Sequence, residues 1–314
     1  MSTIEVLEPG LLTTVQDLGR EGFGPMGVSA SGAADAVSLR LGNRLVDNDE
    51  NAAALEMTLG GGAFRFSDDT VAALAGSDFG ATLDGAPVEM WESFPARAGS
   101  ILRLGATRAS ARCYFCVPGG IVVEPFLGSA STHLLSGLGG FAGRALQRGD
   151  VFRIGAAPAA TFRPRRVDVE VLQAVAPSKH LRITVGPQAD WFSASTQSEF
   201  YASTYRVGES SNRMGLRLEG HPIVLTSSRE LLTEGAPLGA IQIPPSGQPI
   251  VLFVEQQTTG GYPKLANVIA ADLHSLGQLR PRDEIRFERV EFQTALSLLR
   301  EQEKLIQSGI VTAT

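Results

Sequence analysis

Short apolar runs, each closed by a turn signal, follow one another so closely through the first two-thirds of the chain that strands are the elements that fit. Val71–Ala75 ends at Gly76-Ser77-Asp78 and Phe79–Leu83 at Asp84-Gly85; Val88–Trp91, Ile101–Leu104 and Tyr114–Val117 follow. Asp-Gly between such runs is a strong hairpin signal, because both residues accept the positive φ of a tight turn. This spacing suits a barrel or a sandwich better than alternating β-α units, which need room for a helix between strands. The fold class read from the sequence is mainly β.

Helical patches are few. Ala33 to Val46 puts Val37, Leu41 and Leu45 on one face, with Ser31 placed as a cap and Asp35 in a first turn that favours a carboxylate. Beyond the strand-like run Ile250–Val254, the segment from Lys264 carries Leu265, Ile269, Leu273 and Leu276 at helical spacing; Pro263 fits the first turn and Gly277 ends the pattern. Glu291 to Gln307 forms a third patch, in which Phe292, Leu296, Leu299 and Ile306 make one stripe and Leu298 and Leu305 widen it. Such a helix more often covers its own core than a partner. Gly155–Pro164 is the best linker candidate by composition, and strand character restarts at Leu181–Val185. The resulting division is an N-terminal β domain over residues 1–160, a linker over 161–180, a C-terminal β domain over 181–290, and an amphipathic helix and tail over 291–314. A faint repeat, Leu146–Ile154 against Leu279–Phe287, agrees with two related units.

A formal net charge of −6 argues against a nucleic-acid or anionic-membrane surface. No apolar run reaches the length of a membrane span, and no basic stretch followed by an apolar one opens the sequence, so the expected compartment is the cytoplasm. Cys113 and Cys116 form a Cys-x-x-Cys, but they lie in a strand-like run where residues three apart point to opposite faces. A shared metal or disulfide is not expected there. No P-loop, dinucleotide fingerprint, His-Glu-x-x-His or nucleophile elbow is present, and no lysine sits in the Ala-Met-Lys-Met setting of a biotin carrier.

What remains is a set of polar residues in turns. Lys264, one of three lysines, is read as lying at a helix start, where a cation is mildly unfavourable unless an anion is also present; it is either an anion or carbonyl site or a solvated lysine. Asn212 and Arg213 offer an amide and a planar donor fork suited to a carboxylate. Gln256 and Thr258 follow a strand at alternating positions and should share a face, with Tyr262 close by. His133, in a Ser/Thr-rich turn, either titrates near neutrality in a site or is hydrogen-bonded locally. His180, His221 and His274 read as surface residues. Asp17 and Arg20 read equally as a loop-fixing ion pair or as cleft residues.

Ser210–Gly215, Glu234–Gln248 and Gln256–Lys264, with Thr13–Arg20, Ser29–Asp35, Val117–Gly120 and Ser131–Gly140, resemble the carboxyltransferase A/B family, also called KipA or allophanate-hydrolase subunit 2. The likeness runs over about residues 4–290, and it is greatest to the branch that holds the 5-oxoprolinase C-type subunits. The resemblance implies two cyclophilin-like β-barrel units. It also implies one component of a multi-chain, ATP-dependent hydrolase that opens 5-oxo-L-proline to L-glutamate, working with a KipI-like B-type subunit plus an A-type one. In that setting Lys264, Arg213, Asn212 and His133 are the catalytic candidates, and Gln256, Thr258, Tyr262, Asp17 and Arg20 bind substrate. ATP would act through the complex, no metal-ligand set is seen, and biotin would matter only if another chain brought it. Two other readings stay open: a biotin-dependent carboxyltransferase acting on urea or an amide, and a non-catalytic regulator that binds a KipI-like partner.

Overall fold

The computed structural model describes residues 2–155, 163–225 and 230–312. The chain groups into two compact units, one made of Met1–Arg20, Ser31–Val175 and Lys304–Thr314, the other of Glu21–Ala30 and Ala176–Glu303. This differs from the ranges read in the sequence. Part of the supposed linker and the end of the supposed tail form a strand pair of the first unit, Arg165–Val167 with Ile310–Thr312. Residues 156–162, which hold most of the linker candidate, lie outside the described residues.

The first unit is built on two antiparallel sheets. One runs in the order Ile121–Val122, Val151–Ile154, Thr3–Glu8, Ala63–Phe66, Ile101–Arg103, Thr82–Leu83 and Ala86–Pro87. The other runs Thr13–Gln16, Ala54–Thr58, Arg112–Cys116, Thr70–Gly76 and Ser93–Ala96. The central strand Arg112–Cys116 is buried throughout, and its alternation serves two cores. Cys113 and Phe115 join Ile4, Phe64, Phe66 and Phe152 between the sheets, whereas Tyr114 and Cys116 pack with Val37, Leu41 and Leu45. Those last three belong to the helix Ala36–Leu45. The two cysteines are free, as expected of opposite faces, and burial pushes both thiols well above their ordinary range.

Asp35 rather than Ser31 caps that helix, its carboxylate accepting from the Ser38 amide at 2.9 Å. Ser31 holds a φ of +56° and instead donates from Oγ to the Thr132 carbonyl at 2.9 Å. Helix and sheet approach most closely at Gly42, where a Cβ would lie 2.8 Å from Cys116 Sγ and 3.1 Å from Ala75 Cβ.

The second unit is a closed barrel in the order His180–Val185, Lys264–Val268, Ala240–Gln242, Ile250–Leu252, Gly215–Glu219, Tyr205–Val207 and Glu284–Arg289. Closure is made by a parallel ladder between His180–Val185 and Glu284–Arg289. The helix Ala194–Ala202, capped by Ser193, lays Phe200 against Phe287 at 4.9 Å and Tyr205 at 5.7 Å between ring centroids. The fold is mainly β with few short helices, as expected, although the closed barrel belongs to the second unit and the first is a pair of sheets.

Two local expectations are overturned. The segment from Lys264 is a strand, Lys264–Val268, and the helix that follows is only Leu273–Gln278. An interior barrel strand has neighbours on both sides and nearly all its residues buried, so its apolar run shows no alternation that would separate it from a helix. His274 is buried rather than on the surface, because its short helix is itself almost wholly covered. The C-terminal helix spans Phe292–Ser308 and leaves Phe292 exposed; Ile306 is buried with Val167, Val171 and Val175 in the first unit. No helix among the described residues is long and apolar enough to cross a membrane.

Gly42→Ala tests the helix–sheet contact. Propensity alone would stabilise the helix by about 1 kcal/mol, while overpacking a filled core costs about 1–3 kcal/mol. The variant should therefore melt below wild type. Adding Cys116→Ala should recover part of the loss, as a thermal-denaturation double-mutant cycle will read.

Candidate functional site

Lys264 opens its strand with only 2% of its surface exposed. Its amide donates to Gln188 Oε1 at 3.0 Å, and its ammonium stands 2.6 Å from Glu234 Oε1, which also accepts from Gln188 Nε2 at 2.9 Å. Glu234 is the partner of the ammonium among the described residues, and no second acceptor receives its remaining N–H groups. A buried charge is costly unless a counter-charge offsets its desolvation. Glu234, with 41% of its side chain exposed, supplies that charge, and Lys264 and then Gln188 hold its carboxyl below the ordinary 4.5. The helix dipole expected from the sequence plays no part, since Lys264 lies on a strand.

A bulge sets what faces Lys264. Ile241 pairs with Ala266 and Gln242 with Lys264, so one residue on the Lys264 strand is extra. Bulges of this kind re-aim side chains next to functional sites. Gln242 is 1% exposed, and its Nε2 makes no hydrogen bond among the described residues. Beside the barrel, Glu234–Gly235 pairs with Thr259–Gly260 as a two-stranded sheet, with Glu234 opposite Gly260. A Cβ at residue 260 would lie 2.7 Å from Gln242 Nε2 and 3.0 Å from Gln257 Nε2, so glycine lets this strand lie against both amides without displacing either.

The other nominated residues of this unit take quieter positions. Arg213 Nε donates to Glu255 Oε1 at 2.5 Å with both side chains buried, so the fork proposed for a substrate carboxylate meets an internal one. Asn212 is exposed, and its Oδ1 accepts from the Met214 amide at 2.8 Å, forming the turn before the Gly215 strand. Gln256 and Thr258 are half-buried, with the Thr258 carbonyl accepting from the Ala236 amide at 3.0 Å, and Tyr262 is 42% exposed. Sequence reasoning did not single out Gln242, Gln188, Gln257 or Glu234. The available signal was a glutamine closing the apolar run before Pro244, where an interior position holds a polar side chain.

In the first unit, Asp17 and Arg20 grasp one segment. The Asp17 carboxylate accepts from Ser129 Oγ at 2.7 Å, Ser131 Oγ at 2.5 Å, the Ala130 amide at 2.6 Å and the Gly19 amide at 2.8 Å. Arg20 donates to the Ser131 carbonyl and, at 3.3 Å, to that of Phe126, whose ring it also covers. A carboxylate with this many donors holds a loop. His133 follows this segment, half-buried, with Nδ1 accepting from the Ser136 amide at 3.2 Å, which matches its local reading. Among the described residues no group of His, Cys, Asp or Glu is arranged to hold a metal ion.

Removing either side of the Lys264 pair should have unequal effects. Glu234→Gln leaves a buried ammonium without counter-charge, at a cost of about 1–3 kcal/mol, whereas Lys264→Met leaves a half-exposed carboxylate to water and should cost less. Because the Glu234 carboxyl is depressed, its contribution is full above 4.5 and fades as the pH falls through its folded value. The gap in melting temperature between wild type and Glu234→Gln should therefore narrow in acid. In the first unit, Asp17→Ala should lower stability by about 3 kcal/mol or more, read by urea denaturation, since each charged hydrogen bond carries about 1.5–3 kcal/mol.

Comparison with known proteins places this geometry in a family. The family model for the carboxyltransferase domain, subdomain A and B, matches residues 26–289. The chain is 38% identical over 304 residues to the C-type subunit of 5-oxoprolinase from Escherichia coli, covering 97% of this chain and 96% of that protein. It is 32% identical to the urea amidolyase of Saccharomyces cerevisiae, covering 98% of this chain but 18% of that protein. The solved structure of urea amidolyase from K. lactis superimposes with a TM-score of 0.90 at 32% identity, over 98% of this chain and 20% of that one. The polar barrel described above is thus that of a chain belonging to the carboxyltransferase domain A/B family.

Proposed function

We propose that this chain is the C-type subunit of an ATP-dependent 5-oxoprolinase in the cytoplasm, working with a KipI-like B-type subunit plus an A-type one to open 5-oxo-L-proline to L-glutamate. Alignment with the E. coli protein over nearly the full length of both, at 38% identity, supports this reading. The observation that carries it is the buried Lys264 ammonium, paired with Glu234 while no second acceptor takes its remaining N–H groups. Opening a lactam requires water to add at the carbonyl carbon and the ring C–N bond to break, and negative charge gathers on the carbonyl oxygen on the way. A fixed cation in a site that excludes water stabilises that oxygen without reorganising. ATP would enter through companion chains, because this sequence has no nucleotide-binding motif of a recognised kind. Within the chain, Arg213 and Glu255 would hold the turn leading to Gln256 and Thr258, and Asn212 would shape its approach.

A second reading is a carboxyltransferase in which carboxybiotin from another chain donates to urea or an amide nitrogen; the likeness to urea amidolyases across 98% of the chain supports it. The same lysine would serve the same kind of oxygen. A KipA-type regulator, by contrast, would need a partner and no Lys264.

Co-purification with the products of neighbouring genes, followed by assay of ATP-dependent glutamate release from 5-oxo-L-proline, separates these readings. Lys264→Ala should lower turnover on the order of 10²-fold without unfolding the protein, and Lys264→Arg should not restore it, because a planar fork does not replace a point charge. Wild-type turnover in Lys264→Ala would remove the lysine from the chemistry. Transfer to urea that depends on a biotinylated partner would favour the second reading.

A further inference from the structure

Gln242 is one of several buried polar side chains with an atom that meets no partner among the described residues, and the one that stands opposite Lys264 across the bulge. Leaving an amide N–H group buried without an acceptor costs about 1–3 kcal/mol, so such groups in folded proteins need an explanation. The described residues of the barrel do not supply an acceptor for Gln242 Nε2. Its surroundings are those of a binding site. The bulge brings Lys264, whose ammonium has no acceptor beyond Glu234 among the described residues, opposite Gln242. The missing side chain at Gly260 lets Gln242 Nε2 and Gln257 Nε2 flank one point, and Glu234, the strand partner of Gly260, holds the Lys264 charge. Gln257 is exposed and Glu234 half-exposed, so the cluster has a solvent-facing side.

The charge balance selects the ligand. The unfilled groups are donors, so they read an oxygen acceptor; but Lys264 is already neutralised by Glu234, and a ligand carboxylate would sit beside that carboxylate with like charge. A neutral carbonyl oxygen carries no such penalty and fits amide donors beside a screened cation. We propose that Gln242 is a substrate-binding residue whose carboxamide N–H, together with the Lys264 ammonium, receives the carbonyl oxygen of a neutral amide such as a lactam or ureido group. This rests on the reading of Lys264 as the oxygen-binding cation, and it adds which oxygen is read and by what second donor.

The test uses the full chain and 2-pyrrolidinone, a lactam without a carboxylate, followed by NMR titration. Wild type should bind it. Gln242→Met, of similar volume, should weaken binding on the order of tenfold or more while melting at or above the wild-type temperature, because an unmet amide has been replaced by an apolar group. A glutamine that served only the fold would show the reverse, a lower melting temperature with unchanged binding, and that result would overturn the assignment. If Gln242→Met does not fold, Gln242→Glu keeps the volume and replaces donors by acceptors; wild-type affinity in that variant overturns the proposal equally. Absence of pyrrolidinone binding by the wild type, with acetate bound instead, would mean that a carboxylate is read and the proposal is wrong. In the reconstituted complex, Gln242→Met should lower kcat/KM for 5-oxo-L-proline on the order of tenfold to a hundredfold. Lactam binding lost in Gln242→Met in a complex inactive on 5-oxo-L-proline would uphold this inference and remove the proposed reaction; activity unaffected by Gln242→Met would do the opposite.

Discussion

The parallel ladder between His180–Val185 and Glu284–Arg289 closes the second unit's sheet on itself, and the state of every polar group in its interior follows from that closure. A closed sheet has no free edge, and its strands pair on both sides. Lys264 and Gln242 stand on adjacent strands of this ring and are shut away from water more completely than their chemistry favours. The ring therefore imposes a cost that must be met locally. It is met for the charge of Lys264 by Glu234, and for the Lys264 backbone by Gln188. The remaining N–H groups of Lys264 and those of Gln242 Nε2 are not served by the described residues. Interiors seldom tolerate such unserved donors, and here two of them stand opposite each other on adjacent strands.

The strand content was legible because turn chemistry is local: Asp84 and Gly85 both take positive φ, as a tight hairpin of the kind signalled by that dipeptide requires. The facing of Cys113 and Cys116 was legible for the same reason, since a strand of period two leaves no choice. The course of the chain around Lys264 was not. Leu265, Ala266 and Val268 are covered because of neighbouring strands that are distant in sequence, and no local window records those neighbours. Gln242 was not legible as a candidate for a related reason: its surroundings depend on a one-residue bulge opposite it and on a glycine in a separate small sheet. Lys264 was singled out as a candidate, though through a helix dipole that the strand does not supply.

The polar residues of the first unit show the opposite economy. Asp17 is as deeply buried as Lys264, yet its carboxylate is surrounded by hydroxyl and amide donors from Ser129 to Ser131 and from Gly19. Nothing is left over for a ligand at that carboxylate, and the segment it fastens is fixed. A sequence reader sees acidic or basic residues in glycine-rich turns in both units, and only the count of donors against acceptors tells a fastener from a receptor.

The division of the chain has its own consequence. The first unit is interrupted twice, at Glu21–Ala30 and again at Ala176–Glu303, and it is completed by the pairing of Ile310–Thr312 with Arg165–Val167. During synthesis the residues of the second barrel all leave the ribosome before that last strand does. The residues of the barrel are therefore all available to one another before Ile306 and the strand that follows can complete the first unit's core.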